Sequence, residues 1–384
     1  MYKIFFVINF FFFILYDFYN PSLGGRPFDI IGILFLLGLS LLVYFPKNKL
    51  YFNLKHLVFI ILNTLYWLFM IVLGLLFEQN FLAAFAFFCG AFMVLPLFYL
   101  FGIKYQNKLL AIFNILLIIS LALFLVQYFV FKLSGYPIRY HSFGGFTPSR
   151  IYNEDLNYFR GSGIYQEPSE FSKASFLILV LRGYINKASK FDLLAILGLI
   201  SILLSNSLWG IGGLIFYIIY FSKSLIIRSL LIISIISIGS ILLANPELII
   251  KTGLLTDRTI LRLQNPENDN STQDRMGLNT SNHVDYLTFF GHGLSTSSFQ
   301  DYRGANGFSF YIYSFGILGF LLLILSIFFW GKNTIPLILS LFYLLTAFPH
   351  FSYMITWAWL GLCLSQISYN NANFKSQRFL VQNN

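Results

Sequence analysis

The feature that most constrains this chain is a succession of long runs with almost no charge in them. From Leu109 to Phe131, for example, no residue is charged. A helix that crosses a lipid bilayer needs about 20 mostly apolar residues, with a range of roughly 17–25. Clear candidates for such spans are residues 3–19, 28–45, 57–77, 81–101, 109–131, 224–243 and 306–330. Shorter ones are 171–186, 191–205, 207–221, 335–349 and 352–370. Their shortness points to broken helices, which a bilayer tolerates where the backbone lines protein or a wet cavity. Composition agrees with this count. The 384 residues are 57% hydrophobic and 10% charged, with a mean hydropathy of +0.73, whereas a soluble domain is about 25% charged. The expected fold class is therefore an all-α polytopic membrane protein of about 12 transmembrane helices.

The charges orient those spans. A net charge of +10 is compatible with a nucleic-acid partner, but its distribution argues for membrane orientation and no nucleic acid. Basic residues near span ends mark the cytoplasmic side. With the N-terminus inside, the short loops on that side carry Lys3, Lys47, Lys49, Lys55, Lys104, Lys108, Arg182, Lys187, Lys190, Lys223, Arg228, Lys332, Lys375 and Arg378. Asp192 is the one acidic residue among them. A wrong number of spans would scramble this alternation. Both termini are thus expected inside, and residues 1–384 read as a single integral membrane domain. The first apolar run ends at Asp17 and Tyr19 without a small-residue cleavage site, so it reads as an uncleaved span. Cys89 and Cys363 both sit in apolar segments, which leaves no disulfide framework or metal site.

Two long loops fall on the outer side, 132–170 and 244–305. Loops longer than about 12–15 residues are usually functional or disordered, and both of these keep aromatic and aliphatic residues that a disordered linker lacks. The first carries Lys132, Arg139, Arg150 and Arg160 against Glu154, Asp155, Glu167 and Glu170. With no net charge, it must recognise an anion through particular arginines, whose planar fork matches phosphate oxygens. Arg160 reads equally well as a substrate ligand or as the partner of a neighbouring carboxylate. Gly161 and Gly163 behind it permit close backbone approach or positive φ. Glu167-Pro168-Ser169-Glu170 precedes an apolar run, with Pro at a first helical position; Glu167 fits a cap or an arginine partner better than a catalytic base.

The second loop holds Asp274-Arg275, His283 and Gly291-His292-Gly293. Histidine suits proton transfer near neutral pH, although most loop histidines are ordinary surface residues. His350, near the outer end of a span, reads either as a functional ionisable group or as an interfacial side chain bonded to backbone. Tyr158, Tyr165 and Tyr302 are candidates for stacking against sugar rings. Gly212-Gly213 and Gly316-x-x-Gly319 suit close helix packing. The chain has no phosphate-binding glycine loop, zinc spacing or Gly-x-Ser-x-Gly elbow, which disfavours ATP-driven transport and serine hydrolysis.

Arg160-Gly-Ser-Gly-Ile-Tyr-Gln-Glu167-Pro168, followed by an apolar helix, resembles the loop motif of Wzy-type O-antigen polymerases and the related O-antigen ligases. The second loop is similar as well, through Arg275, Gly291-His292-Gly293 and Gly316-Ile317-Leu318-Gly319. Arg150 and Gly161 reproduce an Arg-to-Gly spacing of that family, and His283 with Gly293 part of a histidine signature. The resemblance implies a glycosyltransferase-type polymerase at the outer face of the cytoplasmic membrane. Its donor and acceptor would be oligosaccharide repeat units linked to undecaprenyl pyrophosphate, and a chain-length regulator protein is a further partner that the family admits. The leaving group is a lipid pyrophosphate, so no nucleotide, metal or other cofactor is required. The implied catalytic residues are Arg160 and Arg275, stabilising charge on the pyrophosphate, and His292, with Arg150, Glu167, Tyr165, His283 and His350 binding substrate. A ligase that transfers the glycan to lipid A core is the alternative. A lipid-linked-oligosaccharide flippase is less well matched, because a transporter concentrates polar groups at the bilayer midplane.

Overall fold

The computed structural model describes residues 89–140, 152–153, 158–165, 167–186, 189–205, 207–222, 289–291, 315–322, 355 and 357–365, with scattered positions between 8 and 72 and between 226 and 237. The expected spans 3–19, 28–45, 57–77, 224–243 and 335–349 lie wholly or largely outside the described residues. The helices are α1 (Leu95–Lys104), α2 (Gln106–Ser134), α3 (Pro168–Ile185), α4 (Leu193–Leu204) and α5 (Leu208–Phe221). Residues 315–322 and 357–365 are helical too. The exception is a minimal antiparallel ribbon, β1 (Tyr152–Asn153) with β2 (Tyr158–Phe159). The described fold is thus all-α.

Chain contacts divide the molecule into two units. One comprises Met1–Tyr16, Arg26–Leu109 and Met276–Asn384, and the other Asp17–Gly25 and Leu110–Arg275. In the first unit a π-helical turn, Gly90–Val94, leads into α1, and the Leu95 amide donates to Gly90 O. Pro96 explains the widened ladder. It has no N–H to give, and its ring crowds the carbonyl four residues back. Residues 357–365 run alongside in the same direction, with Trp357 against Gly90, Gly361 against Leu95 and Phe98, and Ser365 against Gly102. Phe98, Phe101 and Trp357 are fully buried there.

The second unit is built on α2. Residues Lys108–Ser134 are long and apolar enough to cross a membrane. At 1.5 Å per residue, the 29 residues of α2 span about 44 Å. The helix closes where the Gly135 amide donates to Phe131 O (2.8 Å) and Ser134 Oγ to Val130 O (2.7 Å). One face buries Phe113, Leu117, Leu121, Phe124 and Gln127 at helical spacing; the other exposes Ile115, Ile118, Val126, Phe129 and Leu133.

α3, α4 and α5 pack together, α4 antiparallel to its two neighbours. Asp192 caps α4 by accepting from the Ala195 amide (2.9 Å), and Ser207 caps α5 by accepting from Gly210 N (3.4 Å). These polar caps fall at the joints between the short apolar runs and explain why the chain breaks there. α4 carries large apolar side chains on both its buried and its exposed face, which a helix in water does not favour. Ala195, Gly198, Leu199, Ser201 and Ile202 are buried, while Leu193, Ile196, Leu197, Ile200 and Leu203 are exposed. With 12 residues, α4 is about 18 Å long, shorter than the roughly 30 Å core of a bilayer.

The end of this unit that carries Ile185 and Asp192 is fixed by a polar cluster. Arg182, 3% exposed, donates through Nε to Asn114 Oδ1 (2.6 Å) and through Nη2 to Asp192 Oδ2. Asn186 Nδ2 donates to the same carboxylate (3.2 Å). Lys190 Nζ donates to Gly183 O and Asn186 O, and the Tyr217 hydroxyl donates to Lys190 O (2.7 Å). A buried guanidinium is tolerated only when paired in this way.

Candidate functional site

At the opposite end of the same unit lies the segment from Arg160 to Tyr165. Beyond α2 the chain doubles back along it, and the Tyr140 hydroxyl donates to Leu123 O (2.9 Å). Burial pushes the Tyr140 phenol up, so it stays protonated and a donor. The ribbon then delivers Phe159, whose ring stacks on Phe131 at 4.1 Å. Arg160 follows, half-buried, and the next five residues are buried.

The segment is held by one side chain of α2. Gln127 is fully buried, and its Oε1 accepts from both Ser162 N and Gly163 N at 2.8 Å. Its amide nitrogen donates to Ile138 O (2.8 Å) and Gly163 O (3.5 Å). The turn tightens as Ser162 Oγ donates to Tyr165 O (2.7 Å) and Tyr165 N to Ser162 O (3.1 Å). Gly163 stands at φ +57°, in the left-handed region that L side chains rarely adopt. Gly161 meets the Phe124 ring, and a Cβ there would lie 2.6 Å from it. Phe124 also stacks on Phe171 at 4.4 Å, tying the start of α3 to the middle of α2. Such a ring pair contributes about 1 kcal/mol beyond its buried area.

Glu167 occupies the N-cap of α3, with Pro168 in the first turn. Its carbonyl accepts from Glu170 N (3.0 Å) and Phe171 N (3.2 Å), and its Oε2 accepts from Ser169 Oγ (3.3 Å). One turn on, Lys173 Nζ pairs with Glu170 Oε1 at 2.9 Å, both side chains largely buried. Ser172 Oγ lies 2.6 Å from Ser205 Oγ, joining the start of α3 to the end of α4. Arg160, Glu167 and the Glu170–Lys173 pair therefore bracket one short stretch of chain.

Tyr165 needs a correction. Read as a ring for sugar stacking, it is instead 1% exposed and tilted against Phe171 at 6.4 Å. The turn that bonds its carbonyl to Ser162 swings the ring inward. Sequence reading also missed Gln127 and Lys173. A lone Gln in an apolar run gives no hint of partners 35 and 36 residues away. Lys173 gave a weak signal as a cation inside a candidate span.

In the first unit, Gly291 from the second loop meets Gly316 from the apolar run that follows it. The Tyr66 hydroxyl donates to Phe315 O and to Phe290 O (3.2 Å). Gly316 stands at φ +69°, and a Cβ on it would collide with Phe289 O and lie 2.6 Å from Gly291 N. Only glycine fits this contact, which sets Gly291 and Gly316 side by side. Arg150, Arg275, His283, His292 and His350 lie outside the described residues. No family model matches the chain, and comparisons with curated proteins and with solved structures find no match.

Proposed function

We propose that the chain is a multi-pass protein of the bacterial cytoplasmic membrane, with about 12 spans and both termini cytoplasmic. There it polymerises oligosaccharide repeat units linked to undecaprenyl pyrophosphate. A growing glycan on one lipid carrier is transferred to a sugar hydroxyl of the next lipid-linked unit, releasing the lipid pyrophosphate. Lipid as solvent accounts for α4, which exposes Leu193, Ile196, Leu197, Ile200 and Leu203 on its outer side, while Ala195, Gly198 and Ser201 share the protein-facing side with Leu199 and Ile202. Small residues at helix contacts are what membrane packing selects.

The observation that carries the reading is the seat of Arg160. α2, about 44 Å long, exceeds the hydrocarbon core of about 30 Å by roughly 7 Å at each end. Gln127, seven residues before the end of α2, is about 10 Å from it, near the edge of that core. The segment it holds brings Arg160 to the depth at which a lipid carrier presents its pyrophosphate. A half-buried guanidinium offers that anion a bidentate fork in a partly dry setting, where charge stabilisation is strongest. Glu167, at the N-cap, is left as a hydrogen-bonding group of the same stretch. Transport fits less well. Among the described residues, the charged side chains of the helices lie within two turns of a helix end, away from the midplane that a transporter uses.

The deciding experiment is glycan profiling of a strain that lacks this chain. Loss of long chains with single capped repeats retained is the expected result. Loss of every repeat would mean a ligase or a flippase instead.

A further inference from the structure

We propose that Gln127 is the positioning residue that holds Arg160 at its working place. The inference rests on the reading that the Arg160 guanidinium meets a phosphate-bearing donor. Gln127 is hydrogen-bonded to the segment from α2. It is 0% exposed, so water does not compete for its amide. One oxygen takes two consecutive backbone donors, Ser162 N and Gly163 N, at equal distance. The amide nitrogen reaches back to Ile138 O on the chain leaving α2. A single side chain thereby joins the start and the end of the first loop to the helix that sets their depth.

Neither neighbour replaces it. Phe124 and Phe131 give the segment apolar contact, which fixes no register along the helix. The hydrogen bonds do, because shifting the segment by one residue would strand two buried amides. Arg160 lies just two residues before the first of those amides, so the anchor sets where along α2 its backbone stands. Gln127 touches neither donor nor acceptor in this scheme and acts through Arg160.

The test combines a placement readout with an activity readout in the full-length protein in membranes. Arg160→Cys is combined with Gln127→Leu or Gln127→Glu, and labelling by a membrane-impermeant maleimide is timed; Cys89 and Cys363 are buried and give little background. Leu fills the space but leaves two amides unbonded, so labelling should change by about tenfold or more. At a fully buried site Glu is held in its neutral acid form; its carbonyl oxygen then keeps both acceptor contacts and its O–H replaces the donation to Ile138 O, so labelling should stay close to the Gln127 rate. In the Arg160 background, Q127L should shorten the polymer sharply at normal protein level, and Q127E should recover much of the length. Combined with the weakened Arg160→Lys, Q127L should add little further loss, since both act on one group. If Q127L does not accumulate, Gln127→Asn, which cannot reach both amides, takes its place with the same expectations.

Unchanged labelling in Q127L would overturn the anchor. Changed labelling with unchanged polymer, or losses that simply multiply in the double variant, would overturn the positioning role. Should the unaltered protein extend no glycan, the polymerase reading fails, and the inference with it, even where labelling supports the anchor.

Discussion

Arg160 and Arg182 are both arginines of the same unit, and we propose different roles for them. Arg182 is sealed in, with Asn114 and Asp192 on its guanidinium. Removing Arg182 leaves the Asp192 carboxylate, 31% exposed, with less of its charge compensated, which costs less than the roughly 3–5 kcal/mol of a fully buried pair. Arg182→Ala is therefore expected to lower the melting temperature of the detergent-solubilised protein and its level in the membrane. Replacing the pair by Arg182→Met with Asp192→Asn, which removes the charge but keeps the cap on α4, should restore most of the loss, and a double variant as unstable as the single one would contradict this. Arg160 sits half-buried beside a fixed turn, and under the proposed function its loss should fall on activity. Arg160→Ala is expected to abolish polymer at normal protein level. Arg160→Lys should also be poor, as a point charge does not reproduce the fork; full-length polymer from the lysine variant would show that charge alone suffices. Arg160 was legible as a candidate from its motif, whereas the inward turn of Tyr165 was not. A motif gives residue order, and only the Ser162–Tyr165 hydrogen bonds decide which way the ring faces.

Element boundaries were more legible than residue contacts, because charge, proline and capping residues mark them locally. The run 109–131 became Gln106–Ser134, 171–186 became Pro168–Ile185, and 207–221 became Leu208–Phe221. The outer loop expected from residue 132 begins slightly later, since α2 continues to Ser134 before Gly135 ends it. The π-turn was not foreseen: Pro96 disturbs a helix in many ways, and which one results depends on the Trp357 and Gly361 contacts beside it. On α4 the solvent itself can be tested. Ile200 is exposed and Gly198 is buried against Leu179. In lipid, Ile200→Lys near the helix centre should cost about 2.5–3.5 kcal/mol on insertion, read as reduced membrane-integrated protein. An exposed site in water would take the same change within about 0.5 kcal/mol. Normal integration of Ile200→Lys would show that this face does not meet lipid.

At the scale of the molecule, the two ends of the α2–α5 unit carry different chemistry, and orientation ties each to a compartment. The end with Ile185 and Asp192 holds Arg182 and Lys190, and the opposite end holds the Arg160 segment and the start of α3. Basic residues favour the cytoplasmic side by roughly 1 kcal/mol each near an anionic surface. The joint between α3 and α4 should therefore face inward and the Arg160 segment outward, the side on which the proposed polymerisation takes place. Gly135→Cys and Ser189→Cys, at two exposed positions, make the comparison direct. An impermeant maleimide added to intact cells should label the Gly135→Cys variant and leave the Ser189→Cys variant unmodified until the cells are opened. A reporter fused near Asn265 should likewise read as external, on the same side as Gly135. Labelling of Ser189→Cys in intact cells, or a cytoplasmic signal at Asn265, would invert the scheme and remove the Arg160 segment from the face at which the proposed donor is presented.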